Sequence, residues 1–380
     1  MASAITPDEL RPDFLLDPDV AFLNHGSFGA CPRPVFESYQ AHQRDLEWEP
    51  IDFLDRRLPS LLAAARGELA RYLNAPPDDL AFVTNATTGV NLAARSLELR
   101  PGDEILTTDL EYGACDLAWE WLAERTGAVY VRAAIPLPLA SADELVEALF
   151  ARATARTRVV YVSHITSSTA LVLPVEEIVS RARELGLVTI VDGAHAPAHV
   201  PIDLVALGAD FYSGNAHKWL MAPKGAGFLH ARPERQERVD AAMVSWGYSP
   251  EHGFQQRVEI QGTRDPAAFL AVPEAIRYQA ERDWDAVRER CRALTRESRA
   301  ELCDLIGTGP LAPEEMLGQM ASVRLPRPDP GLRDRLFTNH RVEIPVAGPE
   351  HDLLRISVAA YTTRDEVDRL LAGLARELDA

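Results

Sequence analysis

The chain has 380 residues, 47% hydrophobic and 25% charged, proportions of a globular protein with room for one or two domains. A formal charge of −18 opposes nucleic-acid backbones and anionic membranes, so neither is expected as a partner. The opening MASAITPDELRPDFLLDPDV has no basic segment leading into an apolar one, no apolar run approaches the ~18 residues of a membrane span, and Cys31, Cys115, Cys291 and Cys303 form no CxxC pair; the expected location is cytoplasmic.

In chain order, LAFVT (80–84) reads as a strand, TTGVNLAARSLEL (87–99) as a helix and GDEILTTD (102–109) as a strand. RTRVVYVSHI (156–165) has the compact apolar character of a strand buried on both faces. Pro174 then opens a helical stretch with acidic residues first, arginines later and Gly186 just past its end, and LVTIVD (187–192) follows as the next strand. A crossover of that length makes the two strands parallel. ADFYSG (209–214) and GAGFLHA (225–231) read as further strands, DWDAVRERCRALTRESRAELCDLI as a long helix, and the last stretch as strand, turn and helix. The predicted fold is α/β: a large domain (20–265) built on a mostly parallel sheet, and a smaller α+β domain (1–19 and 266–380).

Lysine stands at only two positions, Lys218 and Lys224, among 39 basic residues, both inside SGNAHKWLMAPKGAG (213–227). A primary amine condenses with an aldehyde to form a Schiff base, which arginine cannot do. Trp219, Leu220 and Met221 beside Lys218 are poor company for a solvated charge, while Lys224 in its PKG turn reads as structural. A pyridoxal phosphate site needs an acid at the ring nitrogen, a phosphate cradle and a carboxylate anchor. Asp192, at the end of a buried strand, suits the first, with His195 within reach of the ring, although an Asp before Gly also serves as a turn residue. HAPAH has HxxxH spacing, but Pro197 disfavours the helix such a zinc pair requires, and no metal site is expected. Ala86, Thr87 and Thr88, where a strand enters a helix, form a ready anion site, or ordinary capping. Arg355 lies in the apolar LLRISVAAY, where it would hold a carboxylate bidentately or form an internal salt bridge.

Together these stretches resemble the class V aminotransferase family of fold-type I pyridoxal phosphate enzymes, over almost the whole length. The resemblance implies that Lys218 carries the cofactor, that Asp192 meets the pyridine nitrogen and His195 the ring oxygen, and that Tyr112 of EYGA stacks on the ring. It gives Ser167 of SHITSSTALVLPV to the ring hydroxyl, Ala86, Thr87 and Thr88 of NATTGVN together with Asn215 to the phosphate, His217, just before the lysine, to the cofactor, and Thr263 of QGTRD to the phosphate of a partner subunit in a homodimer. Arg355 would hold the α-carboxylate of an amino-acid-like substrate, with Asn24, His25, Trp246 and Tyr361 around its side chain. LNHGSFGACPRPVFE, EPIDFLDRRLP, DGAHAP, VSWGY and GTRD resemble most the isopenicillin N epimerase-like subfamily, which implies an isomerase: Lys218 removes the Cα proton, and Tyr112, His25 or His217 returns one. A C–S (β-)lyase or an aminotransferase is the alternative. Cysteine desulfurases of the family place a catalytic Cys shortly before the arginine, and EIPVAGPEHDLLR has none.

Overall fold

A computed structural model describes residues 5–378. Its centre is a seven-stranded sheet formed by β1 (Leu80–Val83), β2 (Glu104–Thr108), β3 (Val129–Ala133), β4 (Thr157–Ser163), β5 (Val188–Gly193), β6 (Phe211–Asn215) and β7 (Gly227–Ala231), in the order β1-β7-β6-β5-β4-β2-β3. Strand β7 runs antiparallel to both its neighbours and every other pairing is parallel, so the expected α/β architecture is borne out. β4 to β6 are buried on both faces because helices cover the sheet on each side, which is why they read as apolar runs without alternation. Strand β3 escapes a sequence reading because it is an edge strand: among the described residues only β2 pairs with it, and its solvent-facing residues break the apolar pattern.

The helices follow local chemistry. Asn85 caps α1 (Ala86–Arg95), its side chain accepting from Thr88 N. Pro174 precedes α2 (Val175–Glu184), which has Glu176 and Glu177 in its first turn, Arg181 and Arg183 in its last, and Gly186 beyond it at φ 69°. The register then places Ser163, Asp192 and Ser213 side by side at the carboxyl ends of β4, β5 and β6. Helix α1 lies tightly on this row: a Cβ at Gly89 would come within 2.0 Å of Ser213 Oγ.

A second, antiparallel sheet joins β8 (Met320–Arg324), the short strand Val346–Ala347 and β9 (Leu353–Ser357), backed by the long helix Trp284–Ile306 and the final helix Arg364–Leu378. The amino-terminal Ala21–Phe22 pairs in parallel with Val342–Glu343, and Ser357 N donates to Leu23 O, so the segment that follows runs from this sheet to the large one. Among the described residues no helix is long and apolar enough to cross a membrane.

Candidate active site

The carboxyl ends of the parallel strands open into a cavity of about 320 Å³, where open α/β sheets present ligand sites. Lys218, Asp192, His195, Tyr112, Ser167, Thr87, Asn215 and His217 all line it, having come from five separate stretches of chain. Lys218 lies in the connection between β6 and β7. Its Nζ stands 3.1 Å from His195 Nε2, and burial, then the charge of Arg355, push its amine down to about 7. An amine that gives up its proton near neutrality is a nucleophile under ordinary conditions. Burial, with Lys218 next, holds His195 well below the usual range, so the ring is neutral, and its Nδ1 is buried without a partner.

The backbone under Lys218 is fixed from the amino-terminal side. Gly29 has φ 71°, and a Cβ there would come within 2.1 Å of His217 O. His25 is buried, with Nε2 donating to Lys218 O at 3.1 Å and Nδ1 facing the Tyr361 hydroxyl at 2.9 Å. Both nitrogens are thus occupied, and burial pushes the ring down to about 3. His25 and Tyr361 stand behind the lysine rather than around a substrate side chain.

Asp192 is buried at the cavity floor. Oδ1 accepts from Ala194 N at 2.9 Å, and Oδ2 lies 3.4 Å from the Tyr161 hydroxyl and 3.5 Å from the Cys115 thiol. Burial raises its pKa, and among the described residues no guanidinium or ammonium is bonded to it. A buried carboxylate held only by neutral donors leaves room for a cationic group from outside. Arg355 presents the converse. It is 4% exposed, donates to Ser167 O at 2.6 Å and to Ser27 Oγ at 2.9 Å, keeps Nε unpartnered, and has no carboxylate paired with it among the described residues. Burial pushes it down to about 10. Ser27 in turn donates to Asn24 Oδ1, and Asn24 donates to Glu343, so Asn24 orients Ser27 and through it the guanidinium.

At the other end, Ala86 N donates to Asn215 Oδ1 at 2.8 Å and Thr88 N to Asn85, so both amides are engaged within the chain, while Thr87 and Thr84 line the cavity. His217 Nδ1 donates to Ala226 O at 3.0 Å, which leaves Nε2 as the free nitrogen. The unpaired carboxylate, the depressed amine, the orphaned imidazole nitrogen and the carboxylate-free guanidinium match the needs of pyridoxal phosphate and an amino acid. Trp246 is not in the cavity: it is 85% exposed beside Val244 in a surface loop. Thr263 also lies outside it, on an exposed turn. The two histidines of HAPAH part company, His195 facing Lys218 and His199 Nε2 accepting from Gln319 N. Sequence reasoning missed Cys115, Tyr161 and Ser27; each touches a site residue while reading as ordinary core or loop.

Residues 51–370 match the family model for class-V aminotransferases. The chain is 42% identical to the isopenicillin N epimerase of Amycolatopsis lactamdurans, over 96% of each chain. It is 41% identical to that of Streptomyces clavuligerus, over 97% of each. The solved cysteine desulfurase of Escherichia coli superposes with a TM-score of 0.84 at 23% identity, over 99% of each chain.

Proposed function

The chain belongs to the class-V aminotransferase family of pyridoxal phosphate enzymes, and from that premise we propose that it is an isomerase inverting the Cα centre of an amino-acid-like substrate. Bound, the cofactor supplies an aldehyde for the substrate amine and a protonated ring that withdraws electron density from Cα. Lys218 would hold that aldehyde, Asp192 the ring nitrogen, His195 and Ser167 the ring oxygen, and Thr87 with its neighbours the phosphate. Arg355 takes the α-carboxylate and fixes the substrate's orientation. Lys218 Nζ, unprotonated for much of the time near pH 7, takes the Cα proton. A second group must return one. His25 has both nitrogens engaged, and burial pushes His217, tied at Nδ1, down to about 4. That leaves Tyr112, whose 45% exposed ring stands at the cavity, as the donor.

The observation that carries this reading is that a neutral-range amine and a tyrosine line one cavity whose lining, among the described residues, includes no cysteine, so no thiol waits to accept sulfur. The test is incubation with a panel of amino acids and their amides in heavy water. Deuterium at Cα with loss of optical rotation is expected for the acids, and not for amides that offer Arg355 no carboxylate. Pyruvate and a thiol from cysteine conjugates would replace this reading with a C–S lyase, and oxo acids with an aminotransferase.

The active unit is a homodimer in which Thr263 of each protomer serves the other's phosphate site. Supporting this are the exposure of Thr263 and of Trp48 (88%) and Val244 (80%), large apolar side chains that a partner surface would cover. Sedimentation of the holoenzyme should give twice the chain mass, and a monomer at micromolar concentration with full activity would overturn it.

A further inference from the structure

Strands β2 and β4 pair only as far as Leu106 and Val160, and beyond that point they part. Into the opening comes Glu111, 7% exposed, from the segment joining β2 to the helix Gly113–Thr126. Its Oε2 accepts from Ser163 N at 2.8 Å and from Ser163 Oγ at 2.6 Å, and its Oε1 lies 2.6 Å from Thr108 Oγ1. Thr108 Oγ1 itself accepts from Leu110 N. The carboxyl group therefore ties the end of β2 to the end of β4, at the residue paired in register with Asp192. Among the described residues no cation is bonded to it.

Tyr112 follows immediately and lines the cavity. On its other side the helix begins, Cys115 N donating to Tyr112 O at 2.8 Å and the Cys115 thiol reaching Asp192. The tyrosine backbone is thus held on both sides, by Glu111 before it and by the first helical turn after it. We propose that Glu111 is a positioning residue for Tyr112, its buried carboxyl group bridging Thr108 and Ser163 and so setting where the tyrosine ring stands over the cavity.

The charge state supports a clasp rather than an ion. Burial first, and the nearby Asp192, push Glu111 up to about 8, so it is protonated at neutral pH. The other ionisable groups in its field are Cys115, Tyr161 and Tyr130, all neutral at that pH because burial raises each of them. Thr108 Oγ1 donates to one oxygen of this uncharged carboxyl group and Ser163 to the other. A glutamine is likewise uncharged and keeps one accepting oxygen.

The inference rests on the reading that Tyr112 faces the cofactor, and a double-mutant cycle separates the two. Holoenzyme is stripped and titrated back with pyridoxal phosphate, following the bound-cofactor absorbance. Glu111→Ala is expected to raise the dissociation constant about tenfold, and less than about twofold in a Tyr112→Ala background, while Glu111→Gln stays within about threefold of the parent. Should Glu111→Ala fail to fold, Thr108→Val takes its place in the same cycle. Equal losses in both backgrounds would overturn the positioning role, and glutamine behaving like alanine would overturn the uncharged clasp. Tyr112→Ala with an unchanged dissociation constant would overturn the underlying reading of Tyr112 instead.

Discussion

Replacing Lys218 by alanine is expected to lower turnover on the order of 10⁴-fold, since one change removes both the nucleophile and the base. The variant should fold and still bind pyridoxal phosphate, but release it on dialysis, because the phosphate end and Asp192 remain while the covalent hold is gone. Turnover within tenfold of the parent would overturn the assignment of Lys218. The apoprotein carries a second consequence. A base whose folded pKa is depressed from 10.5 to about 7 binds fewer protons folded than unfolded between those values, so its contribution to stability rises with pH across that window. The melting temperature of the apo parent, minus that of Lys218→Met, should therefore increase from pH 7 to pH 10. A difference that is flat with pH would mean that the amine is solvated.

Asp192→Asn separates activity from stability in opposite directions. In the proposed function the carboxylate keeps a ring nitrogen protonated, and its loss should cost about 10³-fold in turnover, the scale of removing one preorganised electrostatic partner. In the apoprotein the same carboxylate is a burden. Burial raises its folded pKa, so between the unfolded value near 3.8 and the raised one the folded state binds more protons, and stability falls as pH climbs through that window. The burden grows as pH rises through that window, so the apo variant is expected to melt higher than the apo parent by a margin that widens with pH. In the holo form the order should reverse, because the parent gains more from its cofactor. An apo variant that melts lower would show that the Tyr161 and Cys115 donors outweigh burial.

The sequence disclosed those residues whose side-chain chemistry stands out in its surroundings. A lysine in an arginine-rich chain, an acid closing an apolar strand and an arginine inside another each contradict their neighbourhood, and all three meet at one site. What stayed hidden conforms to its neighbourhood. Tyr161 sits in an apolar strand where tyrosine is a common β-former, and Cys115 in a helix where it passes for core; only the fold brings both to Asp192. Glu111 lay in full view beside Tyr112, yet its burial depends on two strands parting, which no local pattern reports. His25 illustrates the opposite error. A histidine beside glycine invites a role in the pocket, and tertiary packing instead used both its nitrogens up.

The stretch from Leu23 to Gly29 braces the site. At one end Leu23 O holds Ser357 N, two residues from Arg355; at the other His25 holds the carbonyl of Lys218 and Gly29 lies against the same backbone. The backbone that carries the carboxylate anchor and the backbone that carries the amine are therefore braced through one short stretch, by a main-chain bond at the first and by the buried His25 ring at the second. Such a brace resists any change in the distance between the strand of Arg355 and the backbone of Lys218, whatever molecule is bound between them.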